Sequence, residues 1–332
     1  MERFSTVAGT GSALPDRVVP NSYFEKTLDT SDEWIRDRTG ISERHFVTEG
    51  QATSDLSADA AGSALDAAGI PAEQVDLLIV ATLTPDRPLP ATAVMVQEKL
   101  GMSCPAFDLN AACSGFSYGT SVADAMIRSG ASDTVLVIGA EVLSRVLDMT
   151  DRSTCILFGD GAGAAVFTAS QEPGVIGSIL EADGSAAELL TIPAGGSERP
   201  VTSETHAARD HFVKMPNGRE VYKRAVNGMT SACRELLEKS GYGPEDVDLL
   251  IPHQANARIM ATVAKMLGIP AEKSAIDVES VGNTSAASIP IALDRAWRAG
   301  RISPEGLVLM TSFGAGLAWG ANLIRWTAST PS

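Results

Sequence analysis

Gly69-Ile-Pro-Ala-Glu-Gln-Val-Asp-Leu-Leu-Ile-Val80 recurs, with substitutions, as Gly241-Tyr-Gly-Pro-Glu-Asp-Val-Asp-Leu-Leu-Ile-Pro252. The run Val-Asp-Leu-Leu-Ile is identical in both copies, at 75 and again 172 residues on, at 247. In each copy a glycine closes a helix pattern and an apolar run of strand length follows. Working outward, Val135-Leu-Val-Ile-Gly139 has a counterpart in Val308-Leu-Met-Thr-Ser312, offset by 173. The helix pattern ending Arg128-Ser-Gly130 has one ending Arg298-Ala-Gly300, offset by 170. Short apolar runs do resemble one another by chance. Three ordered matches within a few residues of one offset are better read as a duplicated α/β unit. The halves are placed at residues 1–172 and 173–332. Strands alternating with helices in each half predict layered sheets with helices between them.

The offset of 170 aligns Cys113 with Asn283, a cysteine at one helix start and an asparagine at the equivalent start. Cys113 lies in Asp108-Leu-Asn-Ala-Ala-Cys-Ser-Gly-Phe116. The run Pro105–Leu109 suits a short buried strand, and the pattern after the cysteine suits a helix with Gly130 past its end. A cysteine at a helix N-terminus sits near partial positive charge, which favours the nucleophilic thiolate. A lone cysteine is more often a small core residue, but two further groups join this one. His253 closes the second copy of the strand, in Leu250-Ile-Pro-His-Gln-Ala-Asn256, and Asn283 precedes a helix in Val281-Gly-Asn-Thr-Ser-Ala-Ala-Ser-Ile-Pro290. Strand ends and helix starts along one sheet edge are where α/β folds build their sites.

Composition removes other classes. The 332 residues are 44% hydrophobic and 20% charged, ordinary for a soluble globular chain. Forty-one acidic against 26 basic residues give a net charge of −15, so bulk nucleic-acid binding is disfavoured and any basic docking site is a local patch. The N-terminus has no apolar signal core and no run approaches a membrane span, which predicts a cytoplasmic protein with no membrane association. Cys104, Cys113, Cys155 and Cys233 show no CxxC spacing, so neither a disulfide framework nor a zinc site is expected. The glycine-dense Phe158–Phe167 lacks the Gly-Lys-Ser/Thr ending of a P-loop and the spacing of a dinucleotide fingerprint, and reads as close packing that leads into a strand. Phe4–Leu14 reads as a strand, Asn21 as the cap of a short helix, and Ser31 or Thr30 as the cap of a helix ended by Gly40. Residues from about Pro193 to Gly218, with His206 and His211, read as loop, and helices are placed at Asp55–Ala68, Ala93–Leu100, Arg219–Ser240 and Ala257–Leu267.

Seven motifs together carry a resemblance over nearly the whole chain: Gly9-Thr-Gly-Ser-Ala-Leu-Pro15, Asp29-Thr-Ser-Asp-Glu-Trp-Ile35, Arg38-Thr-Gly-Ile41, Ala111-Ala-Cys-Ser-Gly115, Phe158-Gly-Asp-Gly-Ala-Gly163, Pro252-His-Gln-Ala-Asn256 and Gly282-Asn-Thr-Ser-Ala-Ala287. In these the chain resembles the β-ketoacyl-acyl-carrier-protein synthase III family of the thiolase-like superfamily. The resemblance implies a duplicated α/β fold with five layers, αβαβα, and two mixed sheets. It implies a catalytic triad of Cys113, His253 and Asn283, where elongating synthases carry a second histidine in place of the asparagine. The implied chemistry is a decarboxylative Claisen condensation of a short acyl-CoA, acetyl-CoA foremost, with malonyl-acyl carrier protein, through an acyl-cysteine. The backbone N–H groups of Cys113 and Ala315 would hold the oxyanion, and no metal or redox cofactor is required.

By the same resemblance Trp34 and Arg152 sandwich the CoA adenine, Thr30 and Arg38 lie beside it, and Asn256 contacts the pantetheine arm. Arg258 and Lys265, seven residues apart on one helix face, form a docking patch for the acidic carrier protein, extended by Lys214 and Arg219. Phe313 lines the acyl pocket. A homodimer is implied, with Leu89 near the partner's acyl pocket where many members place a phenylalanine. Ala315 stands where a glycine is usual. The competing readings are a specialised acyltransferase or condensing enzyme of secondary metabolism, a silent partner in a synthase heterodimer, and a dinucleotide-dependent oxidoreductase. Retention of Cys113 weighs against the silent partner, and the absent fingerprint against the oxidoreductase.

Overall fold

The computed structural model describes residues 3–328. Its strands are β1 (Phe4–Ala13), β2 (Arg17–Pro20), β3 (Glu43–Phe46), β4 (Leu77–Ala81), β5 (Ala106–Leu109), β6 (Thr134–Glu141), β7 (Gly161–Ser170), β8 (Val175–Ala182), β9 (Leu249–Pro252), β10 (Leu307–Gly314) and β11 (Ala318–Arg325). One sheet runs β1-β7-β6-β4-β5 and a second β8-β11-β10-β9, with β2 and β3 forming a separate pair. Both main sheets are mixed: β4 is parallel to β5 and β6, β10 is parallel to β9, and the remaining neighbours are antiparallel. The place that β5 holds in the first sheet is reduced in the second to a single bridge between Leu250 and Ser274.

Side-chain alternation explains the layering. In β4 and β6, Ile79 and Val137 face inward, where they pack with Phe116 and Ile127 of the helix Gly115–Arg128 and Leu293 and Trp297 of the helix Ser288–Arg298. Their neighbours Leu78, Val80, Leu136 and Ile138 face the other way, onto Leu56, Ala60 and Ala64 of the helix Thr53–Ala68. A period of two on strands buried on both faces gives continuous apolar runs, as in Val-Asp-Leu-Leu-Ile. The second sheet repeats the device: Ile251 and Met310 enter the middle layer, while Leu250 and Leu309 meet Met229 and Leu236 of Gly218–Ser240 and Val263 of Ala257–Leu267. The outcome is the expected five-layer αβαβα arrangement. Among the described residues no helix is long and apolar enough to cross a membrane.

The sheets meet in the middle layer at close quarters. A Cβ on Gly139 of β6 would lie 2.2 Å from the Ala286 carbonyl oxygen. Gly139→Ala is therefore expected to destabilise the fold by about 3 kcal/mol through overpacking, read as a lower melting temperature.

Two local expectations are corrected and one is narrowed to a single residue. Asn21 gives its helix no side-chain cap; its amide donates instead to Asp32 and to the Ile41 carbonyl, tying two segments together. Ser31, rather than Thr30, caps the helix Asp32–Thr39, accepting from the Trp34 N–H. The stretch read as loop from 193 to 218 contains a short helix, Ser203–Ala207, capped by Thr202.

Candidate active site

Cys113 lies in a 3₁₀ turn, Ala112–Ser114, that feeds the central helix Gly115–Arg128. The same device stands in the other half, where the turn Ser285–Ala287 feeds Ser288–Arg298. Both turns open on a residue with positive φ, Ala112 at 47° and Ser285 at 50°. Non-glycine residues held there cost of order 1 kcal/mol each, and such strain collects at functional sites. These matched turns correct the alignment of Cys113 with Asn283. The helices begin 173 residues apart, at Gly115 and Ser288, so Cys113 is equivalent to Ala286. The offset of 170 comes from the helix ends, and the second helix is shorter, 11 residues against 14. Asn283 still reaches the site, from the segment just before its turn.

Cys113, His253 and Asn283 line one cavity of about 140 Å³ with Phe313 and Asn256. On its other side Cys113 opens onto a cavity of about 480 Å³ with apolar walls from Leu83, Leu143, Leu190, Ile192 and Val213, and with Ala315 at its rim. Gly314, the last residue of β10, lets the strand end pass against Cys113: a Cβ there would sit 2.7 Å from the Cys113 nitrogen. That contact brings the following residue, Ala315, to the cysteine.

Cys113 departs from the expected thiolate. Burial pushes its thiol up to about 12; the neighbouring Ser285 hydroxyl pulls the other way, and the Glu141 carboxylate pushes it up further. The regular helix begins two residues after Cys113, and only 6% of the cysteine is exposed, so desolvation outweighs the helix terminus. The group is a thiol at neutral pH.

His253 is held as a neutral donor. Its own N–H is anchored to the Thr311 carbonyl at 2.7 Å, and its Nδ1 meets Ser288 Oγ at 2.6 Å. The Gln254 N–H donates to the same hydroxyl at 3.4 Å. With Ser288 assigned as the donor to Nδ1, the imidazole carries its own proton on Nε2. Burial depresses His253 to about 4, so it is uncharged across the neutral range. The unfolded chain takes up that proton near 6.5 and the folded chain does not. The stabilising contribution of His253 is thus complete above about pH 6.5 and is lost as pH falls towards 4. The stability advantage of the wild type over His253→Gln is expected to shrink by about 3 kcal/mol over that range, measured by denaturant melts at stepped pH.

Asn283 is oriented by its neighbours. Its Oδ1 accepts from the Ser285 N–H at 2.9 Å, which leaves the Nδ2 donors for the cavity. Its backbone is pinned to Leu157 and Gly159. Two neutral donors, His253 Nε2 and Asn283 Nδ2, therefore face a cavity that contains a buried thiol.

The remaining predicted positions divide. The Arg152 guanidinium lies 4.7 Å from the Trp34 ring centroid and Arg38 lies 5.5 Å from it. Arg152 and Trp34 are thus in direct contact, and a ring inserted between them requires the pair to part. The Thr30 hydroxyl is buried beside this helix and has no hydrogen-bond partner among the described residues. Asn256 caps the helix Ala257–Leu267 through the Arg258 N–H and donates to the Arg38 carbonyl, so both ends of its amide are engaged. Arg258 pairs with Asp37 at 3.0 Å, Lys265 and Arg219 are exposed, and Lys214 is half-buried with its backbone paired to Thr191. Leu89 is 85% exposed and lines neither cavity of its own chain. Among the described residues no cluster of three or more His, Cys, Asp or Glu could hold a metal ion. Sequence reading missed Ser288 and Ser285, which orient the donors, and Glu141. The Ser-Ala-Ala-Ser run that follows Asn283 is the signal that contained both serines.

A buried thiol with two neutral donors, set where the halves of a duplicated α/β fold meet, is the arrangement expected of a thiolase-like condensing acyltransferase. Comparison with known proteins narrows this. Residues 107–184 match the family 3-Oxoacyl-[acyl-carrier-protein (ACP)] synthase III, and residues 237–326 match its C-terminal family. The chain is 48% identical over 324 residues to the beta-ketoacyl-[acyl-carrier-protein] synthase III of Xanthomonas oryzae pv. oryzae, covering 97% of this chain and 98% of that one. It superposes on the crystal structure of 3-oxoacyl-[acyl-carrier-protein] synthase III from Aquifex aeolicus with a TM-score of 0.89 and 46% identity, over 97% of this chain and 100% of the other. The priming beta-ketosynthase of the R1128 polyketide pathway is also similar, with a TM-score of 0.92, 35% identity, and 100% and 98% coverage. The chain belongs to the 3-oxoacyl-[acyl-carrier-protein] synthase III family.

Proposed function

We propose that this chain condenses a short acyl-CoA with malonyl-acyl carrier protein to give a 3-oxoacyl-carrier protein, CoA and CO₂, and so begins fatty-acid synthesis. The observation that carries the reading is the convergence of Cys113, His253 and Asn283 on one cavity in a chain of this family. Cys113 attacks the thioester carbonyl while its own N–H and that of Ala315 hold the oxyanion, giving an acyl-cysteine and free CoA. Malonyl-carrier protein then loses CO₂ and leaves an enolate on its thioester. That oxyanion calls for hydrogen-bond donors rather than a base, and neutral His253 and Asn283 supply them. The carbanion attacks the acyl-cysteine and releases the product. Trp34, Arg152, Thr30, Arg38 and Asn256 would hold CoA, with Trp34 and Arg152 parting to admit the adenine. Lys265 and Arg219, with Lys214, and with Arg258 once it exchanges Asp37 for a carrier-protein acid, would dock the acidic partner. The enzyme is read as a cytoplasmic homodimer of two duplicated halves, with Leu89 of each protomer near the other's acyl pocket and Phe313 in its own. It uses no metal or redox cofactor.

Intact-mass spectrometry with acyl-CoAs of rising length, followed by malonyl-carrier protein, tests this directly. The expected result is an acyl adduct on Cys113 that leaves as 3-oxoacyl-carrier protein. An adduct that malonyl-carrier protein never discharges would favour a specialised acyltransferase of secondary metabolism, a reading supported by the likeness to a polyketide-priming synthase. No adduct from any acyl-CoA would overturn the proposal.

A further inference from the structure

Acylation leaves one proton to be placed. Cys113 is a thiol at neutral pH, and His253 is not free to take its proton: Nδ1 is engaged by Ser288 and Nε2 already carries one. On the other side of the cysteine stand Ser285 and Glu141. Ser285 lines the 480 Å³ cavity together with Cys113. The Ser285 hydroxyl donates to Glu141 Oε1 at 3.0 Å. Glu141 is fully buried at the end of β6 and is held by neutral donors: Thr84 Oγ1 at 2.6 Å, the Thr84 N–H at 3.1 Å, the Leu83 N–H and Thr82 Oγ1 each at 3.2 Å, and Ser285.

A carboxylate buried without a cation is costly, and here neutral donors alone offset the burial. Gly314, the last residue of β10, occupies the equivalent place in the second half. The acid is present in the half that carries the nucleophile. Burial raises Glu141 to about 7, where a carboxylate both accepts and returns a proton near neutrality.

We propose that Ser285 and Glu141 are the proton outlet of the Cys113 thiol. As sulfur bonds to the acyl carbonyl carbon, the thiol proton passes to Ser285 Oγ and the Ser285 hydroxyl proton passes to Glu141 Oε1. As the carbon–sulfur bond to CoA breaks, the proton returns from Glu141 through Ser285 to the CoA thiolate, and Glu141 is ionised again. Ser285 stands beside the reacting cysteine in the same cavity, and Glu141 is a positioning residue that acts through it. The proposal rests on the acyl-enzyme reading above.

The test measures single-turnover acylation and iodoacetamide alkylation of Cys113 against pH in the wild type, Ser285→Ala and Glu141→Gln. Thr82, Thr84 and Ser285 facing Glu141 do not titrate in this range, and Cys113 is the titrating group that feels the Glu141 charge. In the wild type both rates should therefore rise through a step near pH 7, where Glu141 ionises. In Ser285→Ala the step should vanish and acylation should fall roughly 100-fold. Glu141→Gln should behave alike. Its amide meets the Leu83 and Thr84 N–H groups, so should it fail to fold, Ser285→Ala, which keeps the carboxylate, decides alone. A wild type without the step overturns the proposal. So does Ser285→Ala acylating at the wild-type rate, or slowing with the step intact, which would mark a scaffold role. Iodoacetamide needs no acyl-CoA binding, so a wild type that alkylates with the step yet accepts no acyl-CoA faults the proposed function and leaves the outlet standing.

Discussion

Cys113→Ser is expected to lower acyl-enzyme formation by roughly 10⁴-fold or more, with the fold intact. The substitution exchanges sulfur for a smaller oxygen, so no new atom has to be accommodated. The loss is chemical. A serine hydroxyl attacks a thioester only with a strong base beside it, and the imidazole here is pinned as a donor by Ser288. A thiol is a far better nucleophile in the same setting and gives up its proton more readily. The check is intact mass after incubation with the best acyl-CoA, with a thermal melt to confirm folding. An adduct forming at even a tenth of the wild-type rate would show that the nucleophile lies elsewhere.

Asn283→Asp is expected to leave acylation of Cys113 within about threefold while condensation falls roughly 100- to 1,000-fold. The aspartate keeps an oxygen for the Ser285 N–H, so the strained turn beside Cys113 retains its anchor. What is lost is the pair of Nδ2 donors, and a carboxylate in their place repels the enolate that decarboxylation creates. Asn283→Ala should show the same loss of condensation, with some added loss of acylation, because the Ser285 N–H is then left unpaired. Single-turnover acylation and CO₂ release from malonyl-carrier protein separate the two steps. If acylation fell as far as condensation in the aspartate variant, the division of roles between cysteine and donors would be wrong.

The amino-acid sequence determined the layers. Apolar runs such as Val75–Ile79 and Val247–Ile251 can be satisfied only by strands buried on both faces, and their repetition at one offset identifies two similar units. It also named the three side chains that share the cavity, since each stands where a strand ends or a helix begins. The exact pairing of the halves was not legible, because alignment counted from the helix ends misses the three-residue difference between the central helices. Protonation was not legible either. A cysteine near a helix start reads as a thiolate, but its state depends on how much water the packed halves exclude, and desolvation prevails. Only the tertiary structure decided that His253 is a donor, through a serine 35 residues away, and that Glu141 stands behind Ser285 across 144 residues of chain. Hydrophobic periodicity is local and survives in one dimension. A proton's position depends on dielectric and on hydrogen-bond partners that folding brings together from distant parts of the chain.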